Sequence, residues 1–137
     1  MRRVTQVVSA FLALAITGCS SGKREPGRFV ECTLNYATTT QVVKVRATRE
    51  PYAVRPTLVA ERFAFKAVFT EGAGGTASIN LYVYSRTPEG DRLLQEVKYV
   101  APFPGSAANA KFGFTGHQFV YSNDAREFDY WCALRSP

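Results

Sequence analysis

The chain has 137 residues, which is enough for one domain, and carries a net charge of +6 at pH 7. Its composition is that of a globular protein, with 46% hydrophobic and 20% charged residues, and this balance excludes a disordered chain, a collagen-like repeat and a polytopic membrane protein. The single histidine excludes a histidine-rich metal site and any catalytic scheme that needs two histidines.

The amino terminus has the pattern of a secretory signal peptide. Arg2 and Arg3 form a short positive start, and residues 7–16 form a largely apolar run. Ten helical residues rise about 15 Å, half of the roughly 30 Å hydrocarbon core, so the run is too short to span a membrane. The pattern predicts a signal peptide over residues 1–18, which makes Cys19 the first residue of the mature chain.

The residues around Cys19 form a more specific signal. Ile16, Thr17 and Gly18 precede the cysteine, and Ser20 follows it. This stretch resembles the lipobox of bacterial lipoproteins, in which an aliphatic residue, a small residue and a glycine or alanine precede an acylated cysteine. The resemblance implies a diacylglyceryl thioether and an amide-linked acyl chain such as palmitate, and two or more chains anchor a protein stably. A serine after the cysteine implies sorting to the outer membrane. An ordinary signal peptide with a chance cysteine is the alternative.

Residues 19–28 have the composition of a polar tether that leads to a single domain at 29–137. Cleavage removes two of the 17 basic residues, so 15 basic and 11 acidic residues leave a net charge of +4. This charge does not favour a nucleic-acid partner, and the envelope location excludes one. Lys23, Arg24 and Arg28 lie beside the lipid, where each charge adds about 1 kcal/mol of attraction to an anionic surface. Alternatively, these residues only keep the tether soluble.

Two further cysteines lie near the two ends of the predicted domain. Cys32 and Cys132 are 100 residues apart, and an even pair in an oxidising compartment predicts a disulfide. Closing a loop of this length contributes up to about 4.7 kcal/mol in the chain-entropy account, and it would hold the first strand beside the last. A reactive Cys132 thiol or a metal-binding pair is the alternative, but neither cysteine has a histidine or acidic residue at ligand spacing.

Runs of alternating apolar and polar residues predict β-strands along the rest of the chain. Segments 71–75, 87–91 and 122–124 contain the glycine, proline, asparagine and aspartate residues that favour turns. No segment after the tether keeps a helical period for more than about two turns. The spacing predicts an all-β domain, an antiparallel β-sandwich or open barrel of about seven strands. The predicted strands are residues 29–36, 41–48, 62–70, 77–86, 92–101, 118–122 and 127–134.

Three features have the composition of catalytic or phosphate-binding motifs. Segment 72–76 is glycine-rich like a phosphate-binding loop, but it lacks the Lys-Ser/Thr ending and precedes a strand, so a hairpin loop is favoured. His117 is a candidate general base, but no nucleophile elbow is present and an exposed loop histidine is favoured. Glu127 and Asp129 point to one side of the last strand, as paired catalytic carboxylates do, but a solvated strand face produces the same spacing. No catalytic residue and no metal ligand is predicted.

Aromatic residues interrupt two of the polar strand faces. Tyr82 and Tyr84 lie on the polar face of the fourth run beside Arg86, and Trp131 shares the polar face of the last run with two acidic residues. Tyrosine, tryptophan and arginine are enriched at protein interfaces, so these four residues are the predicted partner-binding residues. The alternative is that a second sheet or a loop covers both faces.

The sequence therefore predicts a lipid-anchored protein of the bacterial outer membrane whose domain faces the periplasm. The covalent lipid on Cys19 is the only expected non-protein group, and no other cofactor is expected. The favoured role is a non-catalytic binding or scaffold module for an envelope protein, of the type seen in secretion pilotins, assembly accessories and chaperones. The alternative is an inhibitor or immunity protein that neutralises an envelope-directed enzyme through segment 72–75 or 102–108. A small hydrolase is disfavoured because no catalytic constellation is present.

Overall fold

Within its described ranges, the chain is nearly all β, with one short 3-10 helix at Pro51–Ala53. The computed structural model describes residues 27–72, 74, 76–104 and 110–137. In chain order the strands are β1 (Phe29–Tyr36), β2 (Thr39–Arg46), β3 (Thr57–Val59), β4 (Phe63–Glu71), β5 (Ala77–Thr87), β6 (Gly90–Val100), β7 (Gln118–Tyr121) and β8 (Glu127–Arg135).

The strands form two four-stranded antiparallel sheets that pack face to face. The terminal sheet holds the first and last strands in the order β2-β1-β8-β7, and the meander sheet has the sequential order β3-β4-β5-β6. Their inner faces enclose one hydrophobic cluster, so the predicted antiparallel β-sandwich is confirmed. The strand that the sequence did not predict is β3, which has three residues and is too short to display an alternating pattern.

Alternation along each strand determines which side chains enter the core. In β1, Val30, Cys32 and Leu34 are fully buried, whereas the residues between them are only partly buried. β5 follows the same rule, with Ile79, Leu81 and neighbouring odd-numbered residues pointing inward. Successive side chains in a strand point to opposite faces of the sheet, and the inward faces are those that the sequence pattern predicts.

Four aromatic rings bridge the two sheets inside the core. Phe63 and Phe65 of β4 meet Phe128 and Tyr130 of β8, and the ring centroids are 5.2 Å apart in both pairs. All four side chains are at most 1% exposed. Burial of one such side chain contributes roughly 1.5–3 kcal/mol, and a well-oriented ring pair adds about 0.5–1.5 kcal/mol. These contacts therefore fix how the sheets lie against each other.

The predicted disulfide joins Cys32 and Cys132, whose sulfur atoms are 2.07 Å apart. The two cysteines face each other directly in the register of β1 and β8, and both are fully buried. The bridge therefore holds the first strand of the domain beside the last, as the sequence predicts. The bonded sulfur atoms leave no thiol for the reactive-cysteine or metal-pair alternatives.

Within the described ranges, no helix is both long enough and apolar enough to cross a membrane. The predicted signal peptide at 1–18 and the predicted lipid attachment site at Cys19 lie outside these ranges, and so does most of the tether, residues 20–26. The lipoprotein interpretation of the amino terminus therefore continues to depend on its sequence alone.

Tyr130 gives the fold a testable dependence on alkaline pH. Its hydroxyl donates to Oε1 of Gln95 in the opposite sheet at 2.7 Å. Burial raises the pKa of this phenol, with a smaller contribution from Tyr99. A raised folded-state pKa stabilises the fold fully below the unfolded-state value of about 10, and this contribution is lost as the pH rises beyond it. We expect the free energy of unfolding to fall above about pH 10, and to fall less steeply in Tyr130→Phe. Urea unfolding at a series of alkaline pH values checks this, and equal slopes in both proteins would contradict it.

Candidate interaction surface

An aromatic cluster lies on the outer face of the terminal sheet, at its β7 edge. Phe119 and Tyr121 of β7 point outward on either side of the inward Val120, and they are 51% and 58% exposed. Trp131 projects to the same side from β8, and the ring of Phe112 packs against it with centroids 5.4 Å apart. Contiguous exposed rings of this kind mark interaction sites more often than scattered ones do. We call this surface the aromatic face; it consists of Phe112, His117, Phe119, Tyr121 and Trp131.

His117 lies at the centre of the aromatic face. Its ring centroid is 4.7 Å from that of Phe112 and 4.3 Å from that of Phe119. The edge-on ring of Trp131 lies 5.3 Å away. His117 lies in the loop before β7, as predicted, but it is not fully exposed, because rings on both sides shield the imidazole and leave its side chain 28% exposed.

A chain of hydrogen bonds crosses the terminal sheet beside these rings. The Thr40 hydroxyl of β2 donates to Oδ1 of Asn35 in β1 at 2.9 Å, and Nδ2 of Asn35 donates to Oδ1 of Asp129 in β8 at 2.9 Å. Nε2 of His117 lies 2.6 Å from the same carboxylate oxygen and donates to it. The strand register produces this chain, because Thr40 and Asp129 are the direct neighbours of Asn35 on its two sides. The chain holds the imidazole in place, and a preorganised surface loses less entropy when it binds.

The two candidate carboxylates point to the same outer face, and each is engaged there. Asp129 accepts the two hydrogen bonds just described, and Glu127 accepts one from the Tyr121 hydroxyl at 2.6 Å. This hydrogen bond raises the pKa of the Tyr121 phenol. In the part of the chain that the structure describes, no hydroxyl or thiol group is hydrogen-bonded to His117. The Asp129 carboxylate therefore orients the His117 ring, and the Glu127 carboxylate orients the Tyr121 ring.

Tyr82, Tyr84 and Arg86 lie on the outer face of the other sheet. The rings of Tyr82 and Tyr84 stack with centroids 6.4 Å apart, and Arg86 forms an ion pair with Asp91 at 3.1 Å. Burial, and then the Glu96 carboxylate, raises the pKa of both tyrosines. Among the described residues, no second sheet covers this face, because the terminal sheet packs against the inner side of the meander sheet. The four residues predicted to bind a partner therefore lie on two opposite surfaces, with Trp131 on the aromatic face.

The outer face of the meander sheet also carries apolar side chains. Leu58, Ala64, Tyr84 and Leu93 are direct neighbours in one row across all four strands. Of these, Leu58 and Leu93 are nearly half exposed. The adjoining row is charged, with Lys66 placed 5.2 Å over the ring of Tyr82. The exposed Leu58 and Leu93 lie on the two edge strands of the meander sheet, whereas the rings of the aromatic face contact one another, which makes the aromatic face the stronger candidate site.

Phe112, Phe119 and Tyr121 were not predicted from the sequence, and the pattern in β7 is only a weak signal for the last two. His117, Phe119 and Tyr121 share one parity, opposite to the inward Val120. Both parities of this short run contain apolar residues, so its orientation was not evident from composition. Phe112 lies outside any strand and reaches the site only through the chain's return to β8, where Gly113 bridges to Cys132.

The proposed inhibitory segments are only partly described. Residues 73 and 75 of the glycine-rich segment, and residues 105–108 of the second segment, lie outside the described ranges. Among the residues that are described, no group of three or more histidine, cysteine, aspartate or glutamate side chains is arranged to hold a metal ion. Comparisons with protein-family models, with curated proteins and with solved structures found no match, so the site is interpreted from its own geometry.

Proposed function

We propose that this protein is a lipid-anchored lipoprotein of the bacterial outer membrane that binds an envelope protein through its aromatic face, without catalysing a reaction. Two features support the proposal independently. The sequence around Cys19 resembles a lipobox. The folded domain presents the exposed rings of Phe119 and Tyr121 on one sheet, beside the partly buried pair of Phe112 and Trp131.

The observation that carries the binding role is the exposure of Phe119 and Tyr121 beside a hydrogen-bonded histidine. Placing large rings in water is unfavourable, and covering them with a partner recovers that cost. Tryptophan and tyrosine supply much of the binding energy at protein interfaces. The two carboxylates beside the rings, those of Asp129 and Glu127, already accept hydrogen bonds within the domain, which lowers the cost of removing water from them when a partner binds.

The anchor would set where this binding takes place. The composition of residues 20–28 predicts a coil, and nine coil residues would span roughly 15–18 Å, so the domain would stay close to the lipid surface. Confinement of this kind raises the effective concentration of a partner that is itself in or near the membrane. A weak contact surface is then sufficient for stable association.

A photo-crosslinking experiment in cells tests the proposal. A photoreactive phenylalanine analogue replaces Phe119 on the aromatic face, and in a matched control it replaces Lys98 on the exposed outer face of β6. We expect position 119 to capture one envelope protein at defined stoichiometry, and position 98 to capture none. Adding Trp131→Ala should reduce the yield at position 119 by roughly thirtyfold, the effect of losing an interface hot spot of about 2 kcal/mol.

The identity of the captured protein separates the candidate roles. A channel or assembly component supports the scaffold role, whereas a single soluble hydrolase or toxin supports the inhibitor role. Equal capture from positions 119 and 98 would contradict the assigned surface. In the same cells, Cys19→Ser should move the protein out of the membrane fraction, and continued membrane retention would contradict the anchor.

A further inference from the structure

A cleft opens at the end of the sandwich farthest from the tether. Its volume is about 290 Å³. It lies between the turn before β4, the β5–β6 hairpin and the β7–β8 turn. The inward side chains of Phe63 and Ser85 are among its lining residues. Four arginines line it, one or more from each of these three connections: Arg62, Arg86, Arg92 and Arg126.

The arginine charges in this cleft are only half compensated. Arg86 pairs with Asp91 at 3.1 Å, and Arg126 pairs with Asp124 at 2.9 Å. Within the described ranges, Arg62 and Arg92 form no ion pair. Four positive charges against two negative ones leave a net of two positive charges. Acidic residues elsewhere in the same turns do not line the cleft.

Arg92 occupies an unusual position for an arginine. It lies opposite Ser85 in the β5–β6 register, and Ser85 is 8% exposed on the inner side of the sheet. The guanidinium therefore stands on the side of β6 that faces between the two sheets, where the sandwich is open. An inward charge also protects an edge strand from pairing with another chain, but that role does not require three further arginines around it.

The electrostatic effect of this cluster is visible on Asp124. The Ser122 hydroxyl, which donates a hydrogen bond to this carboxylate, and then the guanidinium groups of Arg126 and Arg62 lower its pKa. Two arginines from different connections thus act on one point in the cleft, which is the arrangement that concentrates positive potential.

We propose that this cleft binds a phosphate-bearing anion. Guanidinium groups donate paired hydrogen bonds that match phosphate geometry, and the unpaired Arg62 and Arg92 have donors free for this purpose. The Ser85 hydroxyl in the lining adds a neutral donor, and the Phe63 ring forms an apolar floor. The volume is close to the lower end of the range for small-molecule sites, roughly 300 Å³, so the anion is a small group or the end of a polymer.

The position of the cleft favours a source of phosphate other than the lipid headgroups of the anchoring membrane. The chain enters the domain at Phe29, whereas Tyr36 at the other end of β1 contacts Phe63 in the cleft floor with ring centroids 5.1 Å apart. Eight strand residues separate these two ends by about 23 Å. If the proposed anchorage holds, the cleft faces away from the lipid surface. Only this step depends on the proposed function; binding itself does not.

Titration calorimetry with inorganic pyrophosphate tests the proposal on the full-length protein in neutral detergent micelles. We expect saturable binding that Arg62→Gln with Arg92→Gln weakens by about tenfold or more, because charge-assisted hydrogen bonds are lost. The control is Arg46→Gln. Arg46 is an exposed arginine at the end of β2 that lies away from the cleft, so its loss removes the same charge and should leave the affinity unchanged. Thermal unfolding of each variant verifies its fold, which both substitutions should preserve because Arg62 and Arg92 form no ion pair with any residue that the structure describes.

Competition separates the sources of phosphate. Pyrophosphate binding that survives phosphatidylglycerol added to the micelles supports a soluble or polymer-borne phosphate. Displacement by phosphatidylglycerol supports the same chemistry with a lipid headgroup as its source. No pyrophosphate binding, equal weakening by Arg46→Gln, or binding of an oligoglutamate peptide in place of pyrophosphate would overturn the proposal.

Discussion

Replacing Cys32 and Cys132 together by alanine should lower the free energy of unfolding by about 2–5 kcal/mol. The bond closes a loop of 100 residues, so its loss releases much of the constraint on the unfolded chain. Both side chains are fully buried, and alanine avoids placing a new hydroxyl in the core. For a domain of this size the loss corresponds to a fall in Tm of roughly 10–25 °C. Circular dichroism during thermal and urea unfolding measures both quantities.

Reduction of the unmodified protein provides the matched control for this prediction. A thiol reductant should bring its Tm close to that of the double alanine variant, and the variant itself should not respond to the reductant. A change below about 1 kcal/mol on removing the bond would contradict the assigned contribution. The bond lies next to the Thr33–Trp131 pair in the β1–β8 register, so its loss should also loosen the support of the aromatic face.

The sequence predicted the sandwich well because alternation is a local property. Each of the seven predicted runs overlaps a strand, and the inward side chains of β1, β4 and β5 are the predicted ones. Boundaries were less accurate where turns were tight. β2 begins two residues earlier than predicted, because Ala37 adopts a positive φ of 52° that allows a two-residue turn after β1. Alanine is an uncommon residue in that conformation, so composition gave no signal for it.

The candidate site was predicted only in part, because strand order is not a local property. Trp131 was correctly placed on an outward face, but its relation to Tyr82 and Tyr84 depends on which sheet each strand joins. β5 and β8 belong to different sheets, so the predicted residues face opposite directions. The contact between His117 and Asp129 depends on the pairing of β7 with β8. The turn at 122–124 suggested this pairing, but no side-chain pattern indicated that the two residues would meet in a site.

The aromatic face and the arginine cleft meet at one hairpin. Tyr121 and Glu127 close the aromatic face at the top of β7 and β8, and the turn between them supplies Arg126 to the cleft. A large partner that covers the rings would lie close to the cleft as well. The tests remain separate because Trp131 belongs only to the first surface, and Arg62 and Arg92 belong only to the second.

Gly113→Ala should both destabilise the domain and disrupt the aromatic face. Gly113 has a φ of +59°, and a Cβ added there would lie 2.1 Å from the main-chain oxygen of Cys132. The segment must then move away from β8, which breaks the 3.0 Å hydrogen bond from the Phe114 amide to that oxygen and exposes the buried Phe114 ring. The left-handed conformation, the lost hydrogen bond and the lost burial together cost about 3–5 kcal/mol. Urea unfolding measures this loss, and iodide quenching of Trp131 reports whether the neighbouring Phe112 still covers it.

Gly116→Ala separates the close contact from the backbone conformation. Gly116 also has a positive φ, +67°, but a Cβ there would meet no atom within 4 Å. Only the conformational cost of about 1–2 kcal/mol should remain, and quenching of Trp131 should stay at the level of the unmodified protein. Equal destabilisation by the two substitutions would show that the contact with Cys132 is unimportant. A larger loss from Gly113→Ala, with greater access of iodide to Trp131, would show that one close approach to the disulfide-bonded strand holds both the core ring Phe114 and the surface ring Phe112 in place.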